Sequence, residues 1–196
     1  MERATTLAPR HPSGWTVEEY YQLLECGALG EDDHVELLGG AIVAGEPQSP
    51  KHATTISRLQ RLLDRRLGDR AIVRAQRDCI AGHRSAPEPD LAIVPLVDDW
   101  YATAHPSRAH AVFEVAVASL LHDRLTKGPI YAGNGVPQYV LANLRDRCVE
   151  NHARPDAQRG RYAVCTVLPR GDTLQLVEFP DVELAVDDLL ARRVRV

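Results

Sequence analysis

Apolar residues recur at helical spacing in two places near the start of the chain. Thr16, with Glu19 three positions later, has the pattern of a capping box and predicts a short helix that ends near Gly27. Further along, apolar side chains recur every three or four residues at Ile56, Leu59, Leu62, Leu63 and Leu67. This spacing predicts an amphipathic helix over residues 52–67, with its arginines on the polar side.

Short apolar runs predict the strands. Val35 to Leu37 and Ile42 to Val43 flank the pair Gly39-Gly40, which allows a tight turn, so a hairpin is expected here. Similar patterns predict further strands over 71–75, 90–94, 111–117, 138–144, 162–168 and 173–179, and helices over 121–132 and 186–190. The span 97–109 is predicted to be the least structured.

This order of helices and strands is typical of an α/β or α+β fold. A length of 196 residues suits one domain with a sizeable core. We therefore expect a single domain over residues 14–196, preceded by a flexible N-terminus over residues 1–13.

The composition is ordinary for a soluble globular protein, with 44% hydrophobic and 26% charged residues. No apolar run approaches the ~20 residues that span a bilayer, and the first residues lack the apolar core of a signal peptide. A cytoplasmic location is expected. The four cysteines are far apart in the sequence, which predicts reduced thiols and no thiolate metal site.

A net charge of −4 and a pI of about 6.1 argue against a protein that coats nucleic acid through bulk charge. Its arginines are nevertheless concentrated in one stretch, the arginine stripe: Arg58, Arg61, Arg65, Arg66, Arg70, Arg74 and Arg77. Such a stripe can follow a phosphate backbone, with Arg58, Arg61 and Arg65 as candidate contacts. It can equally be a solvated helix face, and the sequence leaves both interpretations open.

Two carboxylates stand at predicted buried strands. Asp90 opens the apolar run Leu91–Val94, and Glu114 lies inside the run Ala111–Val117. A buried carboxylate carries a large desolvation penalty unless a proton or a cation neutralises it. Because neither run contains an arginine, we expect Asp90 and Glu114 to share a divalent metal ion.

Lysine is rare in this chain: of 23 lysines and arginines, only Lys51 and Lys127 are lysine. A lysine retained in such a background indicates a task that guanidinium performs badly. Asp123, Lys127 and Tyr131 stand four residues apart and predict one helix face, with a kink immediately after Lys127 because Pro129 has no N–H. A surface ion pair between Asp123 and Lys127 is the alternative.

The motifs of the chain resemble, in their order, the Uma-type family of putative restriction endonucleases, which belongs to the PD-(D/E)XK nuclease superfamily. The resemblance covers roughly residues 14–190. Its motifs are Val35-Glu36-Leu37-Leu38-Gly39-Gly40, Pro50-Lys51-His52-Ala53, Gln76, Pro87-Glu88-Pro89-Asp90-Leu91-Ala92, Phe113-Glu114-Val115-Ala116, Asp123 to Lys127 to Tyr131, and Gly135-Val136-Pro137-Gln138-Tyr139.

The resemblance implies a restriction-endonuclease-like core, in which a mixed central sheet is flanked by helices and a metal site lies where two strands diverge. Asp90 matches the motif aspartate and Glu114 the motif acid. The superfamily usually places its lysine where this chain has Ala116, and Lys127 on the next helix looks like its counterpart. Glu36 matches the acid that completes the site.

With the backbone carbonyl of Val115 as a third ligand, this oxygen-rich set predicts Mg²⁺ or Mn²⁺. Lys127 is expected to position or deprotonate the attacking water, and Glu36 to orient it or bind a second ion.

Four further residues are expected to support the site. His52 is expected either to contact a phosphate or to make only a local hydrogen bond. Tyr131 is expected to pack with its hydroxyl tethered to the site, while Asp123 and Gln76 follow from their positions in the motifs.

The sequence departs from the family pattern at Ala86, Val117 and Ala118, where the family tends to carry acids or serine, and at Val140, where it tends to carry tryptophan. These changes affect the surroundings of the expected ligands.

The leading hypothesis is a metal-dependent endonuclease that hydrolyses phosphodiester bonds in DNA. A catalytically weak or inactive nucleic-acid-binding or interaction protein on a nuclease scaffold is the alternative, since fold does not fix function. Hydrolysis of RNA or another phosphodiester also fits the residues. A double-strand cut needs two sites and therefore favours a homodimer.

Overall fold

The structure is a computed structural model, and it describes residues 13–30, 33–45 and 49–190. Residues 1–12 of the segment predicted to be flexible lie outside the described residues, as do the last six residues of the predicted domain.

The N-terminal helix and hairpin form as their sequences predict. Helix α1, Val17–Glu25, begins with a capping box in which the Glu19 N–H donates to Thr16 Oγ1 at 3.2 Å and the Thr16 N–H donates to Glu19 Oε2 at 2.9 Å. Strands β1, Val35–Leu38, and β2, Ala41–Ala44, pair antiparallel across Gly39-Gly40. Both glycines have positive φ, 59° and 83°, which is why two glycines make this turn.

Helix α2, Pro50–Leu67, is the long amphipathic helix. Ser49 caps it by accepting a hydrogen bond from the His52 N–H at 3.2 Å. Its apolar side chains are buried on one face, and its arginines stay on the other. A short 3₁₀ turn, Gly68–Arg70, then leads into the central sheet.

The central sheet has six strands in the order β3-β4-β5-β6-β7-β8. Only β5 and β6 pair parallel, so the sheet is mixed, as the resemblance implies. The strands are β3 Ala71–Ala75, β4 Leu91–Pro95, β5 Ala111–Ala116, β6 Gln138–Asn143, β7 Cys148–Asp156 and β8 Arg161–Pro169.

The connection between β5 and β6 is an irregular helix. It consists of α3, Leu120–His122, a π-helical turn, Asp123–Lys127, and α4, Gly128–Gly133. The irregularity therefore ends at Lys127, and helix α4 begins immediately after it. The Gly128 N–H bonds to the Asp123 carbonyl, so one wide turn absorbs the disturbance before Pro129 is reached.

The C-terminal part shows the largest differences from prediction. Strand β7 was not predicted, and the strand predicted over 173–179 is limited to β9, Thr173–Gln175, which pairs with an unpredicted β10, Glu183–Ala185. The predicted final helix is present as α5, Val186–Leu189. The span 97–109 contains neither helix nor strand, as predicted.

The two faces of the central sheet are covered differently. Helices α2 and α5 pack on the face that carries Phe113 and Val115. On the other face, Tyr131 of α4 packs with Tyr139 of β6. Because side chains alternate along a strand, Glu114 is directed toward the α4 face.

Two predictions about the chain as a whole can be compared with this fold. All four cysteines are free, as predicted. Within the described ranges no helix is both long and apolar enough to cross a membrane.

Candidate active site

A cavity of about 890 Å³ opens where the hairpin, the start of α2, the central sheet and the irregular helix meet. It is lined by all four residues that were expected to be catalytic: Glu36, Asp90, Glu114 and Lys127. They come from four separate segments of the chain, and all are buried, with residue exposures of 4 to 9%.

The floor of the cavity lies where β4 and β5 separate. Their ladder reaches Leu91 opposite Phe113, and Asp90 immediately precedes β4. Asp90 Oδ2 accepts a hydrogen bond from the Val115 N–H at 2.7 Å, and the Asp90 N–H donates to Glu114 Oε2 at 3.3 Å. These reciprocal bonds fix both carboxylates at the same strand end.

Lys127 stands between two of the carboxylates. Its Nζ lies 3.0 Å from Glu36 Oε2 and 3.1 Å from Glu114 Oε1. It also donates to the Glu88 carbonyl at 3.4 Å. Lys127 and Asp123 are both buried, so the alternative of a surface ion pair between them is wrong.

The charges in this group shift one another's pKa values. Burial alone would lower the pKa of Lys127, but Glu114, Glu36 and Asp123 outweigh it and raise that pKa. Burial raises the pKa of Glu114 well above its usual range, against the opposing effect of Lys127. Lys127 therefore stays an ammonium in this geometry.

Two hydrogen bonds hold the carboxylates that flank Lys127. The Tyr131 hydroxyl donates to Glu114 Oε1 at 3.0 Å, which is the tether predicted for it. The Glu88 N–H donates to Glu36 Oε2 at 3.0 Å and ties the hairpin to the segment before Asp90.

His52 has a partner that the sequence did not reveal. Its Nε2 lies 3.0 Å from Asp90 Oδ2, so its contacts are not only local. Because His52 is in the first turn of α2 and 38 residues from Asp90, only the fold brings the two together. No local sequence pattern indicates this contact, because the two residues lie on segments far apart in the sequence.

Asp123 and Gln76 also line the cavity. Asp123 lies on the π-helical turn, and its Oδ2 is buried without a hydrogen-bond partner in the described part of the chain. Burial raises the pKa of Asp123 to about 6. Gln76 follows β3 with φ at 50°, and its N–H donates to the Asp90 carbonyl at 3.2 Å.

The donor chemistry of the cavity fits a hard divalent cation. Lys127 is the one lysine or arginine among its described lining residues, whereas six lining side chains are carboxylates: Asp33, Glu36, Glu88, Asp90, Glu114 and Asp123. This excess of negative charge, with the unpartnered Asp123 oxygen, needs a cation or protons for neutralisation.

Within the described ranges, no group of three or more His, Cys, Asp or Glu side chains is arranged to hold an ion by itself. Mg²⁺ is commonly bound through one or two carboxylates together with water and substrate phosphate, so a complete protein cage is not required.

The arginine stripe does not line the cavity. Arg61 and Arg65 are exposed on the outer face of α2. Two other members have partners within the protein: Arg70 Nη1 lies 2.7 Å from Asp181 Oδ2, and the Arg74 guanidinium lies 5.5 Å from the centre of the Tyr101 ring.

The departures from the family pattern fall in three environments, and one of them, Val140, is buried in the apolar core under α2. Val117 and Ala118 line the cavity beside Ser119. Ala86 is fully buried, and its N–H donates to the Leu37 carbonyl at 2.8 Å. The position therefore serves the packing of the hairpin here, where an acidic side chain would be buried among apolar neighbours.

Comparison with solved structures agrees with this architecture. A putative nuclease belonging to DUF820 from Anabaena variabilis ATCC 29413 superposes with a TM-score of 0.70, at 14% sequence identity, covering 89% of this chain and 96% of that chain. At this identity the likeness shows a shared fold. No curated protein matches the sequence significantly.

Comparison with protein families gives a match over most of the chain. The model of the Uma2 family, described as "Putative restriction endonuclease", matches residues 17–187 and so includes every element that lines the cavity. The chain therefore belongs to the Uma2 family of putative restriction endonucleases.

Proposed function

We propose that this protein is a divalent-metal-dependent endonuclease that hydrolyses phosphodiester bonds, with DNA as its substrate. The observation that carries the proposal is the position of Lys127 Nζ, within 3.1 Å of both Glu36 and Glu114, in the cavity that also holds Asp90. Lys127 thus supplies, from the irregular helix, the amine that the superfamily usually places at position 116, where this chain has alanine.

Asp90, Glu114 and the carbonyl of Val115 are the residues that would hold Mg²⁺ or Mn²⁺. Hydrogen bonds occupy Asp90 Oδ2, while Asp90 Oδ1 receives none from the described residues. The Val115 N–H points toward Asp90, and in an extended strand the carbonyl of the same residue points to the same side. An ion bound there would polarise the phosphate and acidify the attacking water.

Lys127 would act as a fixed positive charge. The raised pKa of its ammonium supports a role in placing the phosphate and stabilising its developing negative charge. Of the two roles expected for this lysine, positioning is favoured over deprotonation of the water, because a base must first be neutral. Glu36 would hold the ammonium in place.

His52 and Tyr131 would position the carboxylates. His52 fixes Asp90 Oδ2 from the α2 side, and Tyr131 fixes Glu114 Oε1 from the α4 side. Such partners orient ligands that must meet an ion with defined geometry. Asp123 would add negative charge near Lys127 without touching the reacting atoms.

DNA is proposed because the family is described as restriction endonucleases. The exposed arginines of α2 would follow the phosphate backbone while the cavity holds the scissile bond. A homodimer would supply the two sites that a double-strand cut requires. The cytoplasmic location remains a prediction.

The proposal is tested by incubating the purified protein with supercoiled plasmid, linear duplex and RNA, each in Mg²⁺, Mn²⁺ or EDTA. Cleavage of both DNA substrates with either metal, and none in EDTA, is expected. Lys127→Met should abolish it, and Lys51→Met, which removes the exposed lysine, is the matched control. Tight binding to duplex without cleavage in any metal would favour the non-catalytic alternative, and cleavage of RNA alone would refute the DNA assignment.

A further inference from the structure

Strand β8 is the outermost strand of the central sheet and runs for nine residues. It pairs with β7 on one side, and no described strand pairs with its other side. The outward N–H and C=O groups of β8 therefore have no ladder partner within the described ranges. Long exposed edges of this kind readily pair with another strand.

Strand β8 also lacks the features that usually protect an edge. No charged residue stands between Arg161 and Arg170, and its proline, Pro169, is the last residue of the strand. The opposite edge strand, β3, has five residues and carries Arg74. Protected edges are typically short or charged, so the two edges of this sheet are not equivalent.

Exposed apolar side chains occur on β8 and on the irregular helix, which is bonded to the neighbouring strand β7. Val167 of β8 is 58% exposed, and Leu121 and Leu125 of the irregular helix are 67% and 73% exposed. The helix is tied to this part of the sheet because Arg124 donates to both oxygens of Glu150, at 2.8 and 2.5 Å, and Glu150 pairs directly with Val167. Neighbouring exposed apolar groups mark an interaction surface.

We infer that β8 is an interface for a second copy of this chain, which pairs with it antiparallel. The absence of charge from Tyr162 to Pro169 disfavours nucleic acid as the occupant. An antiparallel strand paired with itself is two-fold symmetric, so one edge serves both molecules and the assembly closes as a dimer. Pairing over the full strand places the central Cys165 of each copy opposite the other.

This interface gives the homodimer of the proposed function a defined geometry, in which two central sheets become one continuous sheet. The inference rests on the proposed function in one respect only, because double-strand cleavage would explain why a dimer is needed. Its structural evidence, the uncharged edge and the exposed Val167 on it, involves none of the cavity residues.

The test is sedimentation velocity over micromolar protein concentrations, without nucleic acid or divalent metal. The wild type should sediment as a dimer, and Val167→Lys should weaken the dimer by at least about tenfold, because charge is forced into a paired apolar edge. Val177→Lys is the matched control, since Val177 is 46% exposed but lies outside β8. A monomeric wild type, or equal behaviour of the two lysine variants, would overturn the inference.

Cross-linking tests the register. A short bis-maleimide should link two copies through Cys165, so the linked species should disappear in Cys165→Ser and persist in Cys26→Ser, which removes the other exposed thiol. Linkage that depends on Cys26 instead would refute full-length pairing of β8. Neither measurement involves cleavage, so failure of the interface and failure of the proposed function are distinguishable.

Discussion

The surroundings of Lys127 explain why lysine rather than arginine stands at this position in an arginine-rich chain. Its ammonium lies within 3.1 Å of Glu36 and Glu114, and its side chain is only 7% exposed. A guanidinium is larger and planar, so it cannot place one compact charge in this space without moving a carboxylate.

We therefore expect Lys127→Arg to lose about 100-fold or more in kcat, comparable with removal of a preorganised transition-state donor. Initial rates of plasmid nicking at saturating metal would measure the loss. Lys51→Arg serves as the control, because the same change on an exposed lysine should leave the rate unchanged. Near wild-type rates for Lys127→Arg would mean that positive charge alone matters at this position.

His52→Ala should weaken Mg²⁺ affinity by about 10- to 100-fold, as expected for loss of a group that orients a metal ligand. Its effect should appear mainly as a higher Mg²⁺ concentration for half-maximal rate, because His52 bonds to Asp90. His52→Gln, whose amide can donate to the same oxygen, should recover part of the affinity. An unchanged Mg²⁺ dependence combined with weaker DNA binding would indicate a phosphate contact instead.

Burial of the Asp123 carboxyl should make the stability of the folded protein depend on pH. Burial raises its pKa from 3.8 to about 6, so the folded protein holds this proton more tightly than the unfolded chain. The contribution of Asp123 to stability is therefore most favourable below pH 3.8 and decreases as pH rises to about 6.

Asp123→Asn removes this titration and should raise the free energy of unfolding at pH 7 by about 3 kcal/mol. The advantage should decrease toward pH 4. Urea unfolding in EDTA across this range would measure it, with the exposed Asp69→Asn as the control. An equal gain in the free energy of unfolding at pH 4 and pH 7 would contradict the raised pKa of Asp123.

At the scale of the element, α2 links two separate tasks. Its first turn brings His52 to the cavity, while its later turns carry Arg61 and Arg65 along the exposed face. If these arginines follow a DNA backbone, each lost phosphate contact flattens the slope of log affinity against log salt by about 0.9.

Replacing Arg61 and Arg65 together with glutamine should therefore weaken duplex binding and reduce that slope by up to about 1.8. Fluorescence anisotropy at several salt concentrations would measure both effects. The control is Arg108→Gln with Arg159→Gln, two exposed arginines that do not line the cavity. Equal slopes for the two double variants would identify the stripe as a solvated helix face.

The irregular helix was predicted only in part. A helix with a kink after Lys127 was expected from Pro129, and the structure has a π-helical turn that ends at Lys127. The sequence shows that Pro129 cannot donate a helical hydrogen bond, but it does not show that a π-helical turn forms over Asp123–Lys127. Asp123, Lys127 and Tyr131 are all buried in the structure.

At the scale of the whole molecule, elements with a local signal were predicted and those stabilised by distant partners were not. The hairpin and α2 follow from a glycine pair and from apolar periodicity. Strand β7 has no such signal, because its polar residues Glu150 and His152 acquire their partners only in the folded sheet, from Arg124 and from the Tyr139 and Tyr162 rings.

The candidate site was predictable to a similar degree. Asp90, Glu114 and Lys127 stand in local contexts that suit buried chemistry, and the resemblance places them in one site. The His52 contact and the buried Asp123 oxygen depend on packing between segments far apart in the sequence, which no local pattern encodes.

The proposed function requires Asp90 to hold the ion on which cleavage depends. It is tested most directly by comparing the initial rate of supercoiled plasmid nicking by Asp90→Asn and by wild type at saturating Mg²⁺, with unfolding curves to confirm that both are folded. A loss of at least about 100-fold is expected for the asparagine variant, and no wild-type activity is expected in EDTA. Equal rates for the two proteins, or wild-type cleavage that persists in EDTA, would contradict this requirement.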